Sequence, residues 1–355
     1  FITVTIVYAI LYIAASHSLS KSYALLEEND RPLVFDEVIP KELNNTENAA
    51  LVYQAVALQL KAKSAGDTDY LSLLGELGQA ILEDPTDQEP IRQFGDLSKA
   101  SEIINALVLL ESANDKKGSR YDIDYDLFYD AVVHHIEDLK LISQWICAHG
   151  LMHAKSGNIS EAWDTAITAL ALGNATRDEP TIISQFTRII QFEEIKKLIE
   201  FLIQNGEPST EQLTQILPRL ASYEDIQPLV RAYDAERIAA NTALADLPLL
   251  RGFVSQYSED ADILFMLSPL LSPFITYDRS VINNVMLTFA NEMIDNPQSP
   301  IDEATSTEIM NTIPSYSFIA KALTPDISNV KNRFTKMIRQ AKILKEELSA
   351  TSSNL

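Results

Sequence analysis

Scarcity of glycine constrains this chain more than any other feature: ten glycines serve 355 residues and none occurs after Gly252. Tight hairpins and phosphate-cradling loops need positive φ or close backbone approach, which glycine supplies at least steric cost. A chain so poor in it is expected to be built from helices punctuated by Pro, Asn and Asp. The hydrophobic fraction of 46 % is ample for a packed core and too high for a disordered chain. The length predicts one large or two ordinary domains. Cys147 is the only cysteine, which excludes an intrachain disulfide framework and a Cys-rich zinc module.

The amino-terminal segment differs from the rest. None of the first 20 residues is Asp, Glu, Lys or Arg, and Phe1 to Ala15 is almost wholly apolar. With no Gly or Pro before Pro32, a single helix of roughly 30 residues and about 45 Å is expected. Its apolar part falls short of the ~20 residues that cross a bilayer core unaided. Beyond Ala15 the pattern becomes one-sided, with Leu19, Tyr23 and Leu26 at spacings of four and three. Such a helix anchors or assembles through Phe1, Ile6, Ile10, Leu11 and Ile13, and packs through Leu19, Tyr23 and Leu26. A signal peptide processed near Ala14-Ala15-Ser16-His17-Ser18 and a buried core helix are the other readings.

Phe1, the apolar run to Ala15 and the Leu19/Tyr23/Leu26 stripe resemble the mature amino terminus of type IV pilins and pseudopilins. In that family a peptidase leaves Phe at the first position and the apolar helix enters a filament core. The resemblance covers about the first 30 residues. It departs at position 5, where the family usually carries Glu and this chain has Thr5.

Helical periodicity dominates from Leu43 to Leu348. Thr46 is placed to cap a helix carrying Ala50, Tyr53, Val56 and Leu60. Helices are expected near Tyr70–Leu82, Leu97–Ser112, Leu127–Lys155 and Thr181–Gln204, with a break from Pro85 to Pro90. Gly157, Ala162, Ala166 and Ala169 have the spacing of a tetratricopeptide-type hairpin, in which small residues let two helices approach. Asp178-Glu179-Pro180 is expected to open the helix that buries Ile182, Phe186, Ile189, Ile190, Ile195, Leu198, Ile199 and Leu202. Pro208, Pro218, Pro228, Pro248, Pro269 and Pro273 are expected to cut the chain beyond Gln204 into short helices. Ile327, Val330, Phe334, Met337, Ala341, Leu344 and Leu348 then form a coiled-coil-like seam. The expected fold is mainly α, an irregular multi-helix domain behind a long apolar helix. Its expected parts are residues 1–30, an acidic body over 31–348 and a polar tail over 349–355.

The body is also similar to an uncharacterised family of amino-terminally anchored helical proteins of planctomycete-like bacteria. The resembling segments, within about residues 45–347, are Asn48-Ala49-Ala50 with Tyr53, Gly157 with Glu161-Ala162, Pro180-Thr181-Ile182-Ile183-Ser184-Gln185, and the last helix to Leu344-Lys345. This resemblance implies topology and attachment, and no catalytic residue.

Little in the chain points to a reaction. His149 and His153 are four apart, so one helix face could offer both to a metal, with His135 nearby in sequence. No Glu lies between them, so the general base of a zinc protease is absent. Tyr121-Asp122-Ile123-Asp124-Tyr125-Asp126 gathers carboxylates beside aromatics but lacks the glycine turn and closing Glu of a calcium loop. Nucleophile-elbow, Walker-type and dinucleotide-binding glycine patterns are absent. The expectation is a non-enzymatic structural protein of the cell envelope, displayed outside the cytoplasmic membrane or in a surface filament and needing no cofactor. Its partners would be identical subunits or a membrane complex. The alternative is a helical enzyme or a metal- or ligand-binding protein using the region from His134 to His153.

Charge sharpens the reading. Twenty-eight Lys and Arg face 50 Asp and Glu, a net −22 that excludes a general nucleic-acid binder. Residues 331–355 are locally +4, with Lys331, Arg333, Lys336, Arg339, Lys342 and Lys345 around the seam, a closing helix or a docking helix for an acidic partner. Residues 21–330 then hold 22 Lys and Arg against 48 Asp and Glu, a net −26. Copies of such a body repel one another at low salt, so association through the uncharged end is expected to strengthen as ionic strength or divalent cation rises. Sedimentation at low and moderate salt checks this, and an association indifferent to salt contradicts it.

Overall fold

The computed structural model describes residues 2–125, 133–246, 261–324 and 328–352. It is mainly α-helical, as expected. The chain divides into two compact units, one of Phe1–Ile39, Pro180–Ile182 and Leu229–Asn332, the other of Pro40–Glu179, Ile183–Pro228 and Arg333–Leu355. This differs from the expected division at residue 30, because the first helix shares its unit with residues 229–332 instead of standing apart.

Unit one is organised by α1 (Ile2–Glu28) and α11 (Ala261–Asp295). The hydroxyls of Ser18 and Ser280 hydrogen-bond at 2.9 Å, Asn283 Nδ2 donates to Ser22 Oγ at 3.1 Å, and Asn291 Nδ2 donates to Asn29 Oδ1 at 3.3 Å. Both partners advance together, so the two helices run parallel. From α10 (Gln227–Ala245), Asn241 Nδ2 donates to Asn283 Oδ1 at 2.8 Å, and Ser22 Oγ donates to Leu19 O at 2.8 Å. A buried polar chain thereby links three helices. Around it Leu26, Ile282, Val285, Met286, Phe289 and Met293 are buried. Asp234 of α10 pairs with Arg31 and, at 3.5 Å, with Arg237, whose guanidinium also donates to Pro32 O. Unit one also holds α12 (Glu303–Asn311) and α13 (Phe318–Leu323).

Unit two runs α2 (Ala50–Lys61), a two-stranded antiparallel hairpin of β1 (Ser64–Ala65) and β2 (Thr68–Asp69), α3 (Tyr70–Glu83), α4 (Gln88–Leu97) and α5 (Ser101–Glu111). It continues through α6 (His135–Lys155), α7 (Ile159–Gly173), α8 (Ile182–Asn205, apart from its first residue) and α9 (Thr210–Ser222), and takes the later part of α14 (Ser328–Ser352). The expected hairpin is present as α6 and α7. Gly157 at φ +84° makes the turn, with its N–H on Ala154 O and the Asn158 N–H on His153 O, the paired bonds of a Schellman cap. Ala162, Ala166 and Ala169 are buried, and a Cβ on Gly150 would come within 3.1 Å of Thr165 Cγ2 on α7.

Several local expectations need correction. The helix expected from Leu97 begins at Ser101, and the Pro85-to-Pro90 break is shorter, because Pro90 sits in the first turn of α4 where its missing N–H has no intrahelical partner to lose. Asn48, not Thr46, serves the start of α2, accepting from Ala50 N at 3.0 Å. Residues 127–132 of the long helix expected before Lys155 lie outside the described residues, as do Pro248 and Ile327. Pro218 lies inside α9, and Pro269 and Pro273 lie inside the 35-residue α11, so these prolines do not cut the chain into short helices. Helix α8 buries Ile189, Ile195, Leu198, Ile199 and Leu202 as expected, but Ile182, Phe186 and Ile190 are only half-buried. Ser184, Gln185, Thr187, Arg188 and Gln191 are buried instead. The seam of α14 is buried from Val330 to Leu348, with Lys331 and Ile338 buried beside it.

Packing of α3 on α6 depends on two glycines. A Cβ on Gly78 would lie 2.5 Å from the Gln144 carbonyl oxygen, and one on Gly75 would lie 2.5 Å from Leu141 Cδ2, whereas one on Gly95 would meet nothing within 4 Å. Gly78→Ala is therefore expected to cost about 2–3 kcal/mol by overpacking against backbone. Gly95→Ala should be neutral or stabilise by roughly 0.5–1 kcal/mol through helix propensity. Chemical denaturation of the two variants checks the pair.

Candidate functional site

The residues expected to anchor or assemble α1 separate into two groups. Ile6, Ile10, Leu11 and Ile13 are exposed, Ile13 at 67 %, as are Val4, Val7 and Tyr12. Leu19 and Tyr23 are half-buried and Leu26 is fully buried. Tyr23 Oη accepts from Arg279 Nη2 of α11 at 3.1 Å. Phe1 lies outside the described residues. Among the described residues one helix, Thr3–Glu28, is long and apolar enough to cross a membrane by length and composition, with a mean hydropathy of 1.4, and little of it is buried. A membrane anchor and a signal sequence both meet that description.

The histidines do not converge. His134 is exposed at the start of α6, about four turns and 22 Å along that helix from His149, so it does not join His149 and His153. His149 and His153 contact each other directly, Nε2 to Nε2 at 3.0 Å, a hydrogen bond in which one ring donates and the other accepts. Burial and the neighbouring His153 ring hold the His149 pKa down to about 4, so the pair is neutral at physiological pH on the His149 side. His135 is engaged elsewhere. Among the described residues no group of three or more His, Cys, Asp or Glu could hold a metal ion. Burial, with the Glu194 carboxylate nearby, pushes the Cys147 thiol well above its ordinary pKa, which leaves it unreactive.

A feature that the spacing did not reveal is the buried carboxylate of Glu179. Its Oε1 bonds to His135 Nε2 at 2.7 Å and its Oε2 accepts from Ser184 Oγ at 2.5 Å. The Tyr121 ring stacks on His135 at 3.8 Å, and Gln185 Nε2 donates to the carbonyls of Thr176, Arg177 and Glu179. Serine, histidine and carboxylate are thus together, but the serine donates to the carboxylate and not to the imidazole. A nucleophile needs the base on its own proton, so this cluster ties α8 to α6 and does not activate Ser184. In the sequence, Glu179 before Pro180 reads as a helix start, and nothing links it to a histidine 44 positions earlier. In the acidic loop Tyr121, Ile123 and Tyr125 are buried while Asp122 and Asp124 are exposed, the alternation of a solvated edge; Asp126 lies outside the described residues.

The six cations of α14 are divided. Lys331 is fully buried and donates to Asn296 O at 2.8 Å and Pro297 O at 3.1 Å, so it cannot meet a partner. Lys336 pairs with Glu193 at 3.4 Å and Lys345 with Glu224, whereas Arg333, Arg339 and Lys342 are exposed. Two of its cations thus meet acidic residues of their own chain. A cleft of about 300 Å³ in unit two is lined by Tyr53, Asn114, Lys116, Lys117, Arg177 and Arg219 among others. Its cations are committed: Lys117 to Glu47, Arg177 to Asp225 at 2.9 Å, and Lys116 and Arg219 to backbone carbonyls at 2.9 Å.

Compared with models of known protein families, with curated proteins and with solved structures, the chain matches none of them.

Two buried groups in unit two give opposite pH dependences. His149, at about 4 against 6.5, stays neutral in the folded state while the unfolded state takes up a proton. Its contribution is complete above pH 6.5 and is lost as pH falls towards 4, by roughly 3 kcal/mol at most. Glu194, raised to about 7 by burial against hydrogen bonding from Ser143, favours the folded state at low pH and loses that preference between 4.5 and 7. Denaturation midpoints of His149→Gln should fall less on acidification than those of the parent chain, and those of Glu194→Gln should fall more.

Proposed function

We propose that this is a non-enzymatic structural protein of the cell envelope, held at a membrane or assembled with copies of itself through the first half of α1. What carries the reading is one continuous helix with two environments. Residues around Ile6, Ile10 and Ile13 are apolar and exposed, while Ala15, Ser22 and Leu26 are buried in unit one. An exposed apolar run of this kind marks a surface for membrane or for another protein. Cleavage near Ala14–Ser18 would cut the helix where Ala15 is buried and Ser18 is bonded to Ser280, which favours anchoring over a removable signal. The pilin-like version, a filament with these helices bundled at its centre and the acidic unit displayed outward, agrees with the apolar-then-amphipathic pattern and departs from it at Thr5. The reading of the histidine stretch as a metal or ligand site has less behind it, because His135 pairs with Glu179 and the other two histidines with each other.

Flotation with phospholipid vesicles, alongside electron microscopy of vesicle-free samples, tests the proposal. The full chain is expected to float or to form filaments, and a chain lacking residues 1–14 to stay soluble and folded by circular dichroism. A full chain that does neither contradicts the proposal.

A further inference from the structure

Helix α1 is not alone in its apolar half. The hydrogen bonds that set Ser18 beside Ser280 and Asn29 near Asn291 offset the two parallel helices by 262 residues. That offset sets the uncharged run of α1, to Ala15, level with residues 263–277 of α11, Ile263 to Tyr277, which also contain no Asp, Glu, Lys or Arg. Leu270 is 65 % exposed and Phe274 48 % exposed on this stretch. Two helices from opposite ends of the chain therefore carry charge-free lengths of about 22 Å side by side.

The residues next along the pair are layered. Tyr277 and Tyr316 lie together at the end of the charge-free length, ring centroids 5.9 Å apart, with Tyr316 largely exposed. Beyond them come two cations, Lys21, exposed on α1, and Arg279 on α11. Farther along are the exposed carboxylates Glu27 and Glu28. The order of hydrocarbon-like surface, tyrosines, cations and then acidic body is the order of a bilayer's core, its interface and its anionic headgroups. Asp278 does not interrupt it, being buried and accepting from Ala320 N at 3.2 Å. Pro269 and Pro273 fit the same setting, since internal prolines are more frequent in lipid-embedded helices than in soluble ones.

We infer that the face of α11 carrying Leu270 and Phe274 is a second lipid-facing segment, inserting beside the first half of α1. The occupant of this surface is membrane hydrocarbon. The inference rests on the tethering reading and adds to it a second segment far away in sequence. The charge-free length of α11 ends at Asp262, so this face enters one leaflet without spanning the bilayer.

An environment-sensitive fluorophore on single introduced cysteines separates the possibilities in the full chain. Cys147 is buried, and unlabelled parent protein serves as the blank. The sites are Leu270→Cys and Phe274→Cys on α11, Ile6→Cys on α1 and Leu58→Cys on α2 as a water-exposed control. On adding vesicles of phosphatidylcholine with phosphatidylglycerol, emission at residues 6, 270 and 274 is expected to rise about twofold or more, with no change at 58. A response at 6 without one at 270 or 274 overturns the second segment and leaves the tether standing. No response at any site overturns both. A response at 270 and 274 that needs no vesicles but rises with protein concentration assigns the surface to a second copy and overturns the lipid assignment. Replacing both exposed side chains, in Leu270→Glu with Phe274→Glu, is expected to weaken vesicle partitioning at least about tenfold with unchanged circular dichroism; partitioning equal to the parent's overturns the inference.

Discussion

The parallel pairing of α1 with α11 is held by Asn241, Asn283 and Ser22, buried polar side chains that hydrogen-bond in series across three helices. A slip of α1 by one turn would separate Ser22 from Asn283 and leave a buried amide without its acceptor, at a cost of about 1–3 kcal/mol. Apolar side chains such as Leu26 and Phe289 would tolerate several registers, since dispersion and area burial are non-directional. The hydrogen bonds thus choose the register, and the register decides which residues of the two helices stand level. Exposure of Ile6, Ile10 and Ile13 results directly from the place where that pairing leaves α1.

Unit two uses polar burial in another way. Arg188 is fully buried between the Tyr223 ring, at 4.7 Å, and the carbonyl of Ser222, at 2.7 Å, with Asn174 Oδ1 accepting from its Nε at 3.3 Å and its Nη2 at 3.1 Å. Burial depresses its pKa to about 10, which still leaves the guanidinium charged. A cation without a carboxylate, held by oxygens and aromatic faces, adds little net stability but tolerates few alternative packings. The same holds for Glu179, whose two oxygens join the start of α6 to the start of α8. These groups make the amino-terminal half of α8 polar and buried, where a hydrophobic stripe was expected.

What could be read from the sequence was the part governed by periodicity. The helical class, the Gly157 hairpin and the seam of α14 arise from apolar spacing and from one residue at positive φ, both local properties. What could not be read depends on partners distant in the chain. Lys331 looks solvated beside a seam until its amine is seen satisfied by two carbonyls from Asn296 and Pro297. Pro269 and Pro273 look like stops because proline removes one hydrogen bond, but α11 continues through them. Of the candidate site, the split of α1 into an exposed and a packed half was legible from the shift at Ala15. The partner of the packed half was not, because no pattern within α1 identifies a helix 262 residues away.

That separation has a kinetic side. Synthesis at about 5–20 residues per second places α11 outside the ribosome roughly 13–50 s after α1. Throughout that interval the first helix, apolar to Ala15, has no α11 beside it, while most of unit two, residues 40–179 and 183–228, precedes α11 in sequence and is already made. Contacts so distant in sequence form late. The amino-terminal helix must therefore be sheltered by something other than its own fold while the rest of the chain is made, and its fold is completed only when α11 arrives beside it.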